Sequence, residues 1–164
     1  MTTHKKGELL GKAIVLMVNS HEGQYDRGGK PYALHPLEVM HLLNTHDEEL
    51  LCIALLHDVI EDGDVTYKQL KELGFTDRII DAVRLLTKVP GQSYEEYQEA
   101  VLSNVDAMLV KQADLTHNSD IRRLKGIRPK DEERIVKYQA FYFKISQKLF
   151  EMEKDNASNQ NFLT

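Results

Sequence analysis

The sequence predicts an all-α fold of about seven or eight helices in a single domain. Apolar residues recur with helical spacing along most of the chain, and the alternation typical of β-strands is absent. Residues that favour helix N-termini precede most of these periodic segments. At 164 residues, 41% of them hydrophobic, the chain is long enough for one domain with a core and too short to expect two. An irregular helical domain is therefore expected rather than an up-and-down bundle.

Three helices are predicted in the first part of the chain. An apolar stripe that begins at Leu9 predicts the first helix, and a glycine-rich polar loop follows at 21–31. Pro36 suits the first turn of the second helix, where its missing N–H is not needed. Asp47 suits the N-cap of a central helix whose run LLCIALL predicts burial on every side. The predicted ranges are 8–19, 36–44 and 48–62.

Start signals also mark the helices of the second part. Thr66 and Thr76 suit N-caps, and Ser93 with Glu96 forms a predicted capping box. Two longer helices are predicted at 106–124 and 132–153. The domain is expected to comprise residues 1–154, followed by a polar tail at 155–164.

Composition narrows the class of protein. The net charge of −5 argues against a general nucleic-acid or membrane-surface binder, although a local basic pocket for a phosphorylated small molecule stays possible. The single cysteine, Cys52, excludes an intramolecular disulfide, and its apolar helix predicts a buried, inert thiol. Neither a signal peptide nor a membrane span is recognisable. We therefore expect a cytoplasmic protein whose partner is a small molecule, with the oligomeric state left open.

An unusual cluster of polar residues follows the apolar run of the central helix. His57 and Asp58 come first, and Glu61 and Asp62 complete the predicted last turn. A helix C-terminus carries partial negative charge, and buried carboxylates are unfavourable unless they are paired or bind a cation. The sequence therefore predicts that a positive charge, most simply a divalent metal ion, is supplied from elsewhere.

Further residues of the ligand type complete a predicted metal site. Two imidazoles and two carboxylates form a mixed N/O set that suits Mn²⁺, Fe²⁺ or Zn²⁺ better than Ca²⁺. Such a site leaves room for water, which a metal acidifies for hydrolysis. The predicted ligands are His35, His57, Asp58 and Asp114.

Helical spacing assigns roles to three neighbours of this set. Glu61 follows His57 by four residues, so that its carboxylate is predicted to project beside the metal, and Asp62 follows Asp58 in the same way. Either acid is a candidate for proton transfer to or from the reacting groups. Asn118 follows Asp114 by four residues and is a candidate to hold a phosphate or sugar oxygen.

The order H…HD…D resembles the HD-domain metal-dependent phosphohydrolases. The flanking segments resemble more narrowly the hydrolase domain of RelA/SpoT homologues and its stand-alone form, the small alarmone hydrolases. The similarity extends over roughly residues 21–124 and over four separated segments, which makes chance agreement improbable. These segments are HEGQYDRGGKPYALHPLEV, ALLHDVIEDGDVT, VRLLTK and VKQADLTHNSDIRRL.

This resemblance implies an all-α enzyme that removes the 3′-pyrophosphate of guanosine tetra- or pentaphosphate, usually with Mn²⁺. It implies the same four metal ligands. His21 and His117 match family positions that are expected to support or pack beside the site rather than to bind metal. Carried over by position, the remaining site residues are Glu61 and Asp62 as the catalytic pair, and Arg27, Lys30 and Asn118 as substrate contacts.

Some positions depart from the family pattern. Bifunctional relatives commonly carry two adjacent cations and a serine in the basic loop, where this chain has Asp26, Arg27 and Gly28. Ile121 stands where a threonine is frequent. Hydrolysis is thus better supported than guanine specificity. Two alternatives stay open: an HD phosphohydrolase for another nucleotide, such as a nucleoside monophosphate or a phosphorylated dinucleotide cofactor, and a non-catalytic metal- or nucleotide-binding regulator.

Overall fold

Eight α-helices and one short 3₁₀ helix make up the regular structure of residues 5–160, the part of the chain that the computed structural model describes. Within those residues no strand forms, and the only extended pairing is a single bridge between Tyr25 and Pro31. The predicted all-α class is confirmed. The α-helices are α1 (Glu8–Ser20), α2 (Leu34–Leu42), α3 (Glu48–Leu56), α4 (Tyr67–Glu72), α5 (Asp77–Leu86), α6 (Tyr94–Leu102), α7 (Val105–Asn118) and α8 (Pro129–Gln160), with the 3₁₀ helix at Ile121–Arg123.

Helix α3 lies at the centre of the fold. From Leu50 onward its side chains are apolar on every face, and those from Cys52 to Leu56 are all buried. Helices α1, α2, α5 and α7 pack around it. At its N-terminus the carboxylate of Asp47 accepts hydrogen bonds from the backbone N–H groups of Glu49 and Leu50, at 3.1 and 3.2 Å, as predicted. The packing places the C-terminal end of α3 inside the molecule.

The predicted start signals of the next three helices are confirmed. The Thr76 hydroxyl accepts a hydrogen bond from the Ile79 N–H at the start of α5. Capping boxes begin α4, at Thr66 and Gln69, and α6, at Ser93 and Glu96. Because these side chains satisfy N–H groups that a helix leaves open, the helix starts are encoded locally.

Two helices, α3 and α7, end about six residues earlier than the sequence predicts. Helix α3 stops at Leu56, and 57–61 continue as turns in which the Val59 N–H reaches back only three residues, to the Leu56 carbonyl. Helix α7 stops at Asn118 instead of continuing to 124. There the Asp120 side chain accepts from the Arg122 N–H at 3.0 Å and starts the 3₁₀ helix. Both ends border the predicted site.

Helix α8 is longer than predicted at both ends. Pro129 is its first residue, a position at which proline needs no N–H partner. Buried side chains such as Phe141 and Ile145 pack it against α6 and α7. The helix continues to Gln160, into the segment predicted as a polar tail, and residues 161–164 lie outside the described residues. Among residues 5–160, no helix is both long and apolar enough to cross a membrane.

Candidate metal and substrate site

Four predicted ligands converge beside the C-terminal end of α3. His35 is the second residue of α2, His57 and Asp58 follow α3 directly, and Asp114 lies on α7. The ligand atoms of the first three lie within 4.8 Å of one another. Asp114 Oδ1 lies 3.0 Å from His35 Nε2 and 3.8 Å from His57 Nε2. The fold thus brings all four side chains of the predicted set to one point.

The hydrogen bonding of His57 shows that this cluster can bind a cation. Its Nδ1 lies 2.6 Å from the Ala54 carbonyl oxygen, so Nδ1 carries the proton and donates. Its Nε2 is buried and finds no hydrogen-bond partner among the described residues. Asp58 Oδ2 comes within 2.9 Å of this nitrogen, but in a geometry that forms no hydrogen bond. A nitrogen lone pair and carboxylate oxygens that face one another require a cation or an extra proton, so the donor set fits a divalent metal.

The charge balance of His57 points the same way. Burial disfavours the charged imidazole, but the carboxylates of Asp58 and Asp114 outweigh burial and raise the pKa of His57 to about 9. Without a metal, the imidazole therefore holds a proton at neutral pH, where an ordinary histidine is largely neutral. A metal ion supplies the same positive charge in its place.

His117 supports His35 from behind. The two rings stack at 4.9 Å between centroids, and their Nδ1 atoms lie 2.7 Å apart. If His35 presents the Nε2 lone pair to a cation, its Nδ1–H donates to His117. Burial, followed by the nearby charge of Arg123, lowers the pKa of His117 to about 4, which keeps it a neutral acceptor. This contact fixes the ring of His35, as outer-sphere partners of metal ligands do.

Asp114 is held on both of its oxygens. Lys111, three residues earlier on α7, lies 2.8 Å from Oδ2, and the Asn118 amide donates to Oδ1. Burial disfavours the charged form of both side chains. The Lys111 ammonium nevertheless keeps the pKa of Asp114 well below its ordinary value, and the Asp114 carboxylate keeps the pKa of Lys111 well above its ordinary value. The carboxylate is therefore ionised and oriented.

Tyr32 orients the remaining carboxylate of the set. Its hydroxyl donates to Asp58 Oδ2 at 2.7 Å. Burial and the neighbouring Asp58 charge raise the pKa of Tyr32, so the phenol stays protonated and remains a donor. Behind it lies His21, buried, with its ring 4.9 Å from that of Tyr32 and its Nδ1 2.9 Å from Gln24. Like His117, His21 therefore contacts a residue of the site and is not one of the four predicted ligands.

Glu61 and Asp62 line the cavity beside the cluster, although not through α-helical spacing, because α3 ends before them. The Asp62 N–H still donates to the Asp58 carbonyl at 2.9 Å, which brings the two side chains to one side. Burial and the Asp58 charge raise the pKa of Asp62, in the direction that favours proton exchange near neutrality. Glu61 Oε2 accepts the Lys88 backbone N–H at 3.1 Å.

Two adjoining cavities form one cleft at this site. The metal-side cavity, about 450 Å³, contains the side chains of His57, Asp58 and Asp114. The loop-side cavity, about 360 Å³, lies between the 21–31 loop, the segment after α7 and the start of α8. The residues shared by both cavities are Tyr32, Asn118, Arg134 and Tyr138.

The predicted substrate contacts occupy different places in this cleft. Asn118 lies at the junction of the two cavities, and Arg27 lines the loop-side cavity with its side chain 58% exposed, 3.6 Å from Asp131. Lys30 lies outside the residues that line either cavity. Its backbone N–H donates to Asp26 Oδ1 at 2.9 Å, which shapes the loop.

The fold brings to the cleft several residues that the sequence pattern does not predict there. Lys111 was detectable, since it lies three residues before Asp114 on the same helix. Tyr32 lies within the segment KPYALHP that also contains His35. No local signal marks the cations that line the metal-side cavity from α8, Arg134 and Lys137, because only tertiary packing brings that helix over the site.

Comparison with known proteins agrees with this geometry. The family model described as "HD domain" matches residues 13–125, which include all four predicted ligands. The chain belongs to the HD-domain family. The 113 matched residues run from α1 through the segment that follows α7.

Several curated relatives carry names that refer to guanosine polyphosphates. A Haemophilus influenzae protein named guanosine-3′,5′-bis(diphosphate) 3′-pyrophosphohydrolase is 37% identical over 131 residues, 73% of this chain and 19% of the relative. The bifunctional (p)ppGpp synthase/hydrolase SpoT of Escherichia coli strain K12 is 33% identical over 78% of this chain and 20% of its own length. A Myxococcus xanthus relative, 34% identical, is named GTP pyrophosphokinase. The chain thus spans about a fifth of the length of these relatives.

A solved structure extends the likeness to the whole fold. A metazoan SpoT orthologue, described as hydrolysing ppGpp, superposes with a TM-score of 0.69 and covers 94% of this chain and 98% of its own. The sequences are 21% identical, so this match supports the fold, in which the HD-domain helices and α8 form a single unit.

Proposed function

We propose that this chain is a metal-dependent pyrophosphohydrolase that removes the 3′-pyrophosphate of guanosine tetra- or pentaphosphate, giving GDP or GTP and pyrophosphate. The observation that carries the proposal is the convergence of His35, His57, Asp58 and Asp114 on one point, with the buried His57 Nε2 directed at carboxylates without a hydrogen bond to either. The names of the relatives point to this substrate. We also propose Mn²⁺ as the metal and the cytoplasm as the location.

The residues of the metal-side cavity divide the chemistry. When bound, a divalent cation supplies Lewis-acid activation of water and of the phosphoryl oxygens. Asp62, whose pKa is raised by burial and by Asp58, takes a proton from the attacking water or returns one to the leaving group. Glu61 orients that water, while its Oε2 is held by the Lys88 N–H. Tyr32 and Lys111 keep the two carboxylate ligands in place.

Several cationic side chains line the same cavity and suit the binding of a pyrophosphate. Lys88, Arg134 and Lys137 line the metal-side cavity besides Lys111, which Asp114 neutralises, and Lys137 Nζ lies 3.6 Å from the centre of the Tyr94 ring. A pyrophosphate placed between these cations and the ligand cluster contacts positive charge on both sides. Arg27 and Asn118 are then positioned to contact the nucleoside end of the substrate from the loop-side cavity.

Release of pyrophosphate from guanosine 3′,5′-bis(diphosphate) tests the proposal. The purified chain is assayed with Mn²⁺, with Mg²⁺ and after chelation, next to an Asp58→Ala variant whose fold is checked by circular dichroism. We expect release that needs both Mn²⁺ and Asp58. If the folded, Mn²⁺-loaded protein releases no pyrophosphate, this substrate is wrong, although the metal site can still be present.

A second nucleotide substrate is favoured by one observation in the loop-side cavity. Asp26, in the loop that carries cations in bifunctional relatives, forms an ion pair with Arg123 at 3.2 Å, so both charges are already satisfied. A panel of nucleoside monophosphates and phosphorylated dinucleotides, assayed under the same conditions, tests this alternative. Turnover of one of them above guanosine tetraphosphate would replace the proposed substrate within the same reaction class.

A further inference from the structure

The polar loop and the segment after α7 are joined by one ion pair. Asp26 Oδ2 lies 3.2 Å from Arg123 Nη2, and the two side chains are only 9% and 16% exposed. The other carboxylate oxygen, Asp26 Oδ1, accepts the Lys30 N–H at 2.9 Å. A partly buried pair of this kind is screened less than a surface pair, so its geometry is better defined.

The same guanidinium reaches the last turn of α7. Arg123 Nη1 donates to the His117 carbonyl at 3.0 Å and to Asn118 Oδ1 at 3.2 Å. The Asn118 amide nitrogen in turn donates to Asp114 Oδ1, the oxygen nearest to His35 Nε2. The guanidinium thereby sets the direction of the amide. In the flipped orientation, an amide oxygen would face the Asp114 carboxylate and repel it.

A close backbone contact joins the same two segments. A Cβ atom built on Gly28 would lie 2.2 Å from the Arg123 carbonyl oxygen, closer than real Cβ atoms come. Any side chain at position 28 therefore pushes the loop and the 3₁₀ helix apart. The glycine and the ion pair are independent features that keep Arg123 beside Asn118.

We propose that Arg123, held by Asp26, is a positioning residue that fixes Asn118 and through it the metal ligand Asp114. Through this chain of contacts, the conformation of the 21–31 loop is coupled to the geometry of the metal site. Arg123 is not a free phosphate contact, since Asp26 already neutralises it. The effect on turnover rests on the proposed function, whereas the effect on metal affinity does not depend on any substrate.

The test compares Mn²⁺ affinity across a set of variants by titration calorimetry of the metal-free protein. Arg123→Gln and Asp26→Asn remove the pair, and Gly28→Ala separates the segments while it leaves both charges. Arg122→Gln is the matched control, because the neighbouring arginine is 87% exposed and pairs with Asp120, outside this network. Circular dichroism at the titration temperature verifies that each variant is folded. Should Arg123→Gln unfold, Arg123→Lys replaces it, which keeps the charge but loses the two-pronged contact.

Outer-sphere partners of metal ligands typically change affinity by about 10- to 100-fold, and Arg123 acts one residue further away. We therefore expect about a threefold to tenfold loss of Mn²⁺ affinity in all three test variants and less than about a twofold change in Arg122→Gln. The double variant Asp26→Asn/Arg123→Gln should lose no more than Arg123→Gln alone, because the two residues act through one contact.

Affinities within about twofold of wild type, or losses that add in the double variant, would overturn the proposal. So would a wild-type protein that binds no Mn²⁺. A lowered melting temperature with unchanged Mn²⁺ affinity would show that the pair is only structural. If wild type fails to release pyrophosphate while the affinity losses appear, the proposed substrate fails and the positioning role stands.

Discussion

In the metal-side cavity, an imidazole nitrogen faces two carboxylates without a hydrogen bond to either, whereas in the loop-side cavity every acid already faces an arginine. His57 Nε2 meets the carboxylates of Asp58 and Asp114. On the other side, Asp26 pairs with Arg123 and Asp131 contacts Arg27. The first cavity thus requires a metal ion or an extra proton between His57 and these carboxylates, while each acid of the second is paired with an arginine of the chain.

This difference assigns separate tasks to the two cavities. The proposed metal ligands lie on or directly after α3 and two of the helices that pack around it, α2 and α7, so their positions are fixed by the core. The loop-side cavity is built largely by connecting segments, where binding residues vary most readily. We therefore expect changes on the metal side to act on metal affinity and kcat. Changes on the loop side should act mainly on KM, except at Asp26, Gly28 and Arg123, which we propose act on metal affinity through Asn118.

The largest expected effect separates two residues of the metal side. Asp58→Ala should lose Mn²⁺ and with it turnover, whereas Glu61→Gln should keep Mn²⁺ and lower kcat by about 10²- to 10⁴-fold. The glutamine retains an oxygen for the Lys88 N–H, so the local fold is preserved. Calorimetry and pyrophosphate release measure the two quantities on the same preparations. Equal metal loss in both variants would contradict this division of roles.

A smaller effect is expected at His117, which contacts the proposed ligand His35 without binding the metal itself. His117→Ala removes the acceptor 2.7 Å from His35 Nδ1, and Mn²⁺ affinity should fall by about 10- to 100-fold. His41→Ala is the matched control, because it removes an exposed histidine from the same helix as His35. If the two variants bind Mn²⁺ equally well, the stacked His35–His117 pair does not orient the ligand.

The sequence predicted those parts of the site whose signals are local. The caps of α3 to α6 and the four metal-ligand candidates could be identified because each rests on residues a few positions apart or on a recognisable segment. The end of α3 was placed too late, because the apolar run gives no sign that tight turns replace the helix after Leu56. The Asp26–Arg123 pair joins residues 97 positions apart, and no pattern in a single sequence connects them.

The protonation of His57 gives a prediction for the metal-free protein. The folded pKa, about 9, lies above the unfolded value of about 6.5, so the charged imidazole stabilises the fold fully below about pH 6.5. That contribution is lost as the pH rises through 9. The melting temperature of the metal-free protein should therefore fall between pH 7 and 9, and Mn²⁺ should remove this decline by replacing the proton. A decline of the same size in the presence of saturating Mn²⁺ would show that other groups cause it.

The smallest expected effect lies on the loop side. Arg27 lines the cavity but is largely exposed, so Arg27→Gln should raise KM by about twofold to fivefold and leave kcat unchanged. The increase should shrink at high salt, because exposed charges are screened. Lys30→Gln provides the contrast, since Lys30 lies outside the cavity lining and its backbone N–H contact with Asp26 survives the substitution. A larger KM effect at Lys30 than at Arg27 would show that the bound substrate changes the shape of the loop. The pairing of each acid of this cavity with an arginine would then describe only the free protein.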